Sequence, residues 1–376
     1  MLLQNSSPKI LVVNPYGIGD ALFCTPLIRT LKKFYAPKTS ITLLLGSRTR
    51  TLFEFNPDID QLFIYDKDQW RQSSFFQKII FFFKLCQLRK KKFDLMSDLS
   101  NTDEYAFWGR FIWTIPIRIG FQYKKRGRYL THRLPLSHFS DVHVVKHYYR
   151  LLSFLSITPE WFESNLFFYE DPQNKHWLPY FLTQHGISEK DHCIALLPGG
   201  GASWGPKAHY KYWPITSYVS LIQKLRKEKE VKIILLGGKE DIPLSQEVEK
   251  ALAFPTYLIN ITGKTSLQQL AALLRFSKLL IGTESGPLHL ATALDIPSFF
   301  LFGPVDPTVY GPYSNSQKQF AITDGAPCSP CYKNFRVPTC ENRICLTKLP
   351  PERVYEIHSQ KLPLSNAPAE ILSHQS

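Results

Sequence analysis

Short apolar runs, each closed by a glycine or a polar turn, recur along the chain with amphipathic stretches between them. This alternation limits the fold more than any other feature. A run of five or six apolar residues reads as a strand buried on both faces, and a parallel strand of that kind needs a helical crossover to reach the next one. The pattern predicts strands at 9–14 (KILVVN), 40–45, 61–65, 93–99 and 117–120, with helices over 21–34 and 143–155. A second series follows at 193–197, 231–236, 257–261, 278–282 and 298–302. Between the two series, 171–191 turns polar and proline-bearing, with a short helix near 175–185.

The expectation is an α/β chain with two Rossmann-like halves: residues 1–172, residues 190–350, and a C-terminal helix and tail over 351–376. A length of 376 residues is enough for two buried cores. In open sheets of this type ligands bind beyond the carboxyl ends of the strands, so chemistry is sought in the loops that follow them.

The net charge is +14 and unevenly spread. Residues 1–170 hold 24 Lys/Arg against 14 Asp/Glu, leaving 21 against 17 for the rest, so the first half carries +10 and the second +4. An anionic partner is therefore expected in the first half. The chain shows no reading helix and no aromatic stacking platform, which sets nucleic acid aside in favour of a phosphorylated substrate or an anionic membrane surface. Residues 1–10 lack the apolar core of a secretory signal. The run 75–88 is too short to span a bilayer and is broken by Gln77, Lys78, Lys84 and Gln87. The expected location is cytoplasmic, with peripheral binding to the inner face of the membrane left open. The run leads into Arg89-Lys90-Lys91-Lys92, and a second basic stretch covers 124–128. It reads either as a packed helix with a solvated basic end or as an interfacial patch.

Four loops carry the unusual residues. Gly17-Ile18-Gly19-Asp20 follows the first strand, and its glycines permit a tight turn and close approach of a ligand. It is not a dinucleotide fingerprint, because the third glycine would fall on Leu22. Asp20 is either a helix N-cap or a general base. Gly199-Gly200-Gly201-Ala202-Ser203 follows the first strand of the second half and can cradle phosphate oxygens, with Lys211 of KYWP adding positive charge. Gly237-Gly238-Lys239-Glu240-Asp241 places a carboxylate where a ribose can be held, with Glu240 preferred to Asp241. The segment 282–291 (GTESGPLHLA) ends a strand and opens a helix, whose amides at Ser285, Gly286 and Leu288 make an anion site. His289 lies one turn inside that helix and reads first as a packing residue.

GDALFCTP (19–26), the PGG loop with KYWP, the GGKE turn and TESGPLHLATAL (283–294) together resemble the ordered landmarks of the bacterial heptosyltransferases, glycosyltransferase family 9. The likeness covers about residues 9–360. It implies a GT-B fold, with two Rossmann-like domains facing across a cleft. It also implies an inverting transfer from a nucleotide sugar, normally ADP-heptose, to a lipopolysaccharide core or similar lipid-linked glycan, with no cofactor required for catalysis. Under it Asp20 is the base, with Gly17 and Gly19 in the acceptor loop. Lys211, Ser285 and Gly286 hold the phosphates, Glu240 the ribose, and Gly199, Gly200, Ser203, Glu284 and His289 complete the donor site. Two departures are visible: Asn14-Pro15-Tyr16 stands where an arginine is frequent, and Glu284 where Asp is common.

Cys328, Cys331, Cys340 and Cys345 have a spacing that permits a structural Zn or Fe clip. A nucleotide-sugar epimerase or hydrolase on the same fold would need a second acid/base pair, and no convincing one is visible. A non-catalytic nucleotide-sugar-binding protein is the remaining alternative.

Overall fold

The computed structural model describes Leu3 and residues 7–362, apart from the side chains of Asp68, Lys175, Ala202 and Ser203; the tail expected beyond 362 lies outside the described residues. The chain forms two compact units. The first runs up to Tyr169 and takes in Pro307–Asn315 and Tyr332–Val337; the second comprises Glu170–Asp306, Ser316–Cys331 and the chain from Pro338 on.

Each unit is built on one six-stranded parallel sheet. The first contains β1 (Lys9–Val13), β2 (Ser40–Leu45), β3 (Gln61–Ile64), β4 (Leu95–Asp98), β5 (Ile117–Tyr123) and β6 (His132–Leu136), in the order β3-β2-β1-β4-β5-β6. The second contains β7 (His192–Leu197), β8 (Val231–Leu235), β9 (Leu258–Asn260), β10 (Leu279–Thr283), β11 (Ser298–Leu301) and β12 (Gln319–Ile322), in the order β12-β11-β10-β7-β8-β9. Counted from its own first strand, the second sheet repeats the order of the first. In both sheets the direction of winding reverses between the first and fourth strands, the switch point where such folds bind ligands. Register keeps the ends level: Val13 pairs with Asp98, and Leu197 comes level with Gly282.

The strands form where the apolar runs predict them because both faces are covered. Every residue of β1 after Lys9 is buried, as is every residue of β10. In the second unit the helix Ile215–Glu228 lays Tyr218, Leu221, Ile222 and Leu225 on the sheet, the three-and-four spacing of a helical stripe. Each such side chain contributes roughly 1.5–3 kcal/mol through burial.

Several elements differ from expectation. The helix expected over 21–34 is two, Ile18–Phe23 and Thr25–Phe34, divided at Cys24. The helix expected over 143–155 is α-helical only across Val144–Arg150 and continues as a 3₁₀ turn. β6 and β12 were not anticipated. Both lie on sheet edges, and β6 (HRLPL) carries a proline and alternating exposure, so it lacks the continuous apolar run of a central strand. Among the described residues no helix is long and apolar enough to cross a membrane.

Candidate active site

The donor-side candidates gather at the switch point of the second unit. The loop after β7 holds Gly199, Gly200 and Gly201, and the loop after β10 holds Glu284, Ser285 and Gly286. The Thr283 hydroxyl donates to the Gly199 carbonyl (3.2 Å) and fastens one loop to the other. Gly199 is needed for space, since a Cβ there would lie 1.8 Å from Asp241 Oδ1. Gly201, at φ +74°, occupies the left-handed region that favours glycine.

Lys211 and Glu284 are buried and paired, Nζ to Oε2 at 2.5 Å, with side chains 4% and 13% exposed. His289, 1% exposed, donates from Nε2 to the other carboxylate oxygen at 3.2 Å. Burial alone would raise the Glu284 pKa. The Lys211 charge, the His289 hydrogen bond and the Lys211 hydrogen bond outweigh it and hold the carboxyl at about 2. Glu284 is therefore ionised throughout the physiological range. Lys211 is not the isolated cation expected from the sequence, because a carboxylate matches its charge. An ammonium has three donors, so the pair leaves hydrogen-bonding capacity for a phosphate.

The helix Gly286–Ala293 starts beside this pair. The Leu288 amide, expected to be free, donates to the Ser285 carbonyl (3.1 Å), so of the three amides expected to meet an anion only Ser285 and Gly286 remain candidates. The Ser285 hydroxyl is buried with no hydrogen-bond partner among the described residues. A buried unpaired hydroxyl costs about 1–3 kcal/mol, which a bound acceptor group recovers. The Ser203 side chain lies outside the described residues.

The two carboxylates after β8 divide their roles by burial. Asp241, 3% exposed, accepts from the Gly238 amide (2.9 Å) and sits against Gly199 and Gly237, so it braces the loop. Glu240 is exposed and folds over Gly238, where a Cβ would meet its carboxylate. It is the member of the pair available to a ligand.

The first unit has its own switch point. Asp20 is not the N-cap: that position is Gly17, and Asp20 is the third residue of the helix Ile18–Phe23, inside its first turn. Gly17 has φ −72°, a conformation open to any residue, so left-handed backbone does not explain the glycine. Asn14, at the departure noted above, is 1% exposed; its Nδ2 donates to the Asp20 carbonyl (2.8 Å) and its Oδ1 accepts from the Tyr16 amide (3.3 Å). The Tyr16 hydroxyl donates to the Ser100 carbonyl, which ties the loop after β1 to the loop after β4. Burial first, then the charges of Asp20 and Asp98, push the Tyr16 hydroxyl far above its ordinary pKa.

Asp98 was missed from the sequence because it reads as the end of an ordinary strand. It is 3% exposed, accepts from the Ser100 amide at 2.9 Å, and burial lifts its pKa from 3.8 to about 6. The folded chain thus binds this proton more tightly than the unfolded one. Stability from this group is full below about pH 4, falls as pH rises toward 6, and is level above. Asp98→Asn keeps an acceptor for Ser100 and removes the buried charge. It is expected to raise unfolding free energy at pH 7 by about 1–3 kcal/mol, with the gain vanishing near pH 4. Urea denaturation at the two pH values reads this directly; a loss of stability at pH 7 would contradict the charge argument.

The four cysteines expected to form a clip lie near one another. The Cys331, Cys328 and Cys340 thiols lie close enough for their charge to raise Cys345, after burial, to about 11. Yet among the described residues no three His, Cys, Asp or Glu side chains are arranged to hold a metal ion. Cys328 faces solvent, Cys340 accepts from the Arg343 amide (3.3 Å), and Cys345 is buried against Gly303.

Two doubly wound units, one with glycine loops, a buried lysine and free helix amides at its switch point, define a nucleotide-dependent glycosyltransferase of GT-B class. More particularly, the chain belongs to glycosyltransferase family 9 (heptosyltransferase), whose family model matches residues 83–338. The Asp20 loop precedes the matched span. Lipopolysaccharide heptosyltransferase 3 of Escherichia coli is 26% identical over 314 residues, covering 81% of this chain and 86% of that protein. The solved ADP-heptose lps heptosyltransferase II of E. coli superposes with a TM-score of 0.71 at 25% identity, covering 93% of this chain and 96% of the other. A family 9 glycosyl transferase from Veillonella parvula gives 0.76 at 23% identity, covering 96% and 99%.

Proposed function

We propose that this enzyme transfers heptose from ADP-heptose to a lipopolysaccharide core or similar lipid-linked glycan, with inversion and without a metal at the donor. The observation that carries the reading is the Lys211–Glu284–His289 cluster beside the unpartnered Ser285 hydroxyl at the second unit's switch point. The named relatives, an ADP-heptose lps heptosyltransferase among them, support the choice of donor and acceptor.

In this reading Ser285, Gly286 and Lys211 take the diphosphate oxygens, and Glu240 takes the ribose hydroxyls. The acceptor hydroxyl attacks the anomeric carbon, the bond from that carbon to the diphosphate oxygen breaks, and ADP leaves. Asp20 receives the hydroxyl proton. Negative charge that develops on the leaving diphosphate is met by fixed amides and an ammonium, groups that need no reorganisation during the reaction. Gly199 and Gly200 keep the loop backbone close to the nucleotide. His289 acts through Glu284 as a positioning residue. The enzyme works at the inner face of the membrane, where a lipid-linked acceptor is presented.

The test is heptose transfer from ADP-heptose to a heptose-deficient lipopolysaccharide core in the presence of EDTA. Turnover that persists in EDTA and needs Asp20 supports the proposal; transfer only from another nucleotide sugar would remove heptose from it. A Zn or Fe clip at the cysteine segment is proposed as structural only, supported by the spacing and nearness of the four thiols. Metal content of the purified chain well below one ion per molecule would sink it.

A further inference from the structure

We infer that the helix Phe75–Gln87 and the basic turn after it are a docking surface for an anionic phospholipid bilayer. The helix is capped by a reciprocal Ser74–Gln77 box and is held on the first unit by one narrow stripe. Phe81 packs on Tyr65 (5.0 Å between centroids), Leu85 is buried, and the Trp113 indole donates to the Leu85 carbonyl (2.9 Å). Nearly everything else apolar on this helix faces water. Phe75 is 72% exposed, Phe76 77%, Ile80 57%, Phe82 52% and Phe83 64%. At 3.6 residues per turn Phe76, Ile80 and Phe83 lie opposite Leu85, and Phe75 and Phe82 extend the exposed apolar face round one flank. They present on the order of 600 Å² of apolar surface. That is at or beyond the largest patch an ordinary soluble monomer carries.

The charge around the patch selects its partner. Residues 69–93 contain Arg71, Lys78, Lys84, Arg89 and Lys90–Lys92 and not one Asp or Glu. On the helical wheel Lys84 falls at the border between the inward stripe and the outward apolar face, whereas Lys78 lies close to Leu85, its ammonium over the Trp70 ring. The Lys84 stem can lie along the apolar face while its ammonium group reaches the headgroup level. Arg89, Lys90, Lys91 and Lys92 follow at the C-terminal end, all exposed. An outward apolar face with a cation at its border and four more at one end fits a helix lying in the plane of an anionic interface. At 13 residues it is too short to cross. A second copy of the chain fits poorly, because a two-fold contact would set these cations against themselves. In the other basic run Arg128 is committed elsewhere: the Gly127 and Arg128 amides and the Arg128 guanidinium all donate to Asp103.

This inference rests on the patch and not on the identity of the donor. Its test is flotation of the full chain with phosphatidylcholine vesicles, with and without about one-third phosphatidylglycerol. The wild type is expected to float with the anionic vesicles, progressively less as salt rises. Phe76→Ser/Phe83→Ser and, separately, Lys90→Glu/Lys91→Glu are each expected to lower the bound fraction at least tenfold. These positions are exposed, so folding is expected to survive, and unchanged ADP binding by the second unit checks that it has. Wild-type binding by the Phe76→Ser/Phe83→Ser variant overturns the inference. So does a wild type that ignores lipid charge, or one that dimerises through this face instead of floating.

Discussion

Asp20→Asn is expected to lower the rate of heptose transfer about 10²- to 10⁴-fold, the usual contribution of a positioned general base. Affinity for ADP should be unchanged. Asp20 lies in the first turn of the first unit's helix Ile18–Phe23, whereas every donor-side candidate lies in the second unit. The substitution preserves shape and the Asn14 hydrogen bond, which goes to the Asp20 backbone carbonyl and not to its side chain. A fall in kcat without loss of folding therefore reads the carboxylate alone. Single-turnover transfer with saturating ADP-heptose separates the chemical step from product release. A variant within threefold of wild type in that assay would remove Asp20 from the base role.

The second large effect is expected at Lys211. Lys211→Met leaves the half-buried Glu284 carboxyl with His289 as its remaining hydrogen-bond partner among the described residues, and breaking a buried pair of this kind costs roughly 3–5 kcal/mol. The pH sign follows from the depressed carboxyl. Its stabilisation is fully present above about 4.5 and is lost as pH falls toward 2 in the wild type, while the variant keeps only the part that His289 supplies. Lys211→Met/Glu284→Gln removes both charges and is expected to recover most of that stability. It should not recover ADP binding, since the ammonium proposed to meet the phosphates is still missing. Urea midpoints with ADP titrations on the three proteins separate the two roles. If the double variant binds ADP as the wild type does, Lys211 is a structural residue only.

The central strands were legible because they are buried on both faces, which leaves KILVVN and its counterparts as continuous apolar runs. The edges were not: β6 pairs on one side only, tolerates proline and alternates like a loop. The same limit applies at the site. Glycine loops and the 283–294 segment could be read locally, since each places its residues within one strand–turn–helix unit. The Lys211–Glu284 pair joins residues 73 positions apart, and nothing in either local motif signals it. Tyr16 reaching Ser100, and Asp98 buried at the end of β4, likewise depend on β1 and β4 lying side by side. The run 75–88 was ambiguous because its apolar residues occupy all faces of the helix, and only packing decides which face the protein keeps.

Calorimetric titration of the full chain with ADP, UDP and GDP, without divalent metal, tests the central claim most directly. Selective binding of ADP, weakened in Glu240→Ala and lost in Lys211→Met/Glu284→Gln, is the result expected of an ADP-heptose site at the second unit's switch point. Preference for UDP or GDP would contradict the donor, and failure to bind any of the three would contradict the site itself.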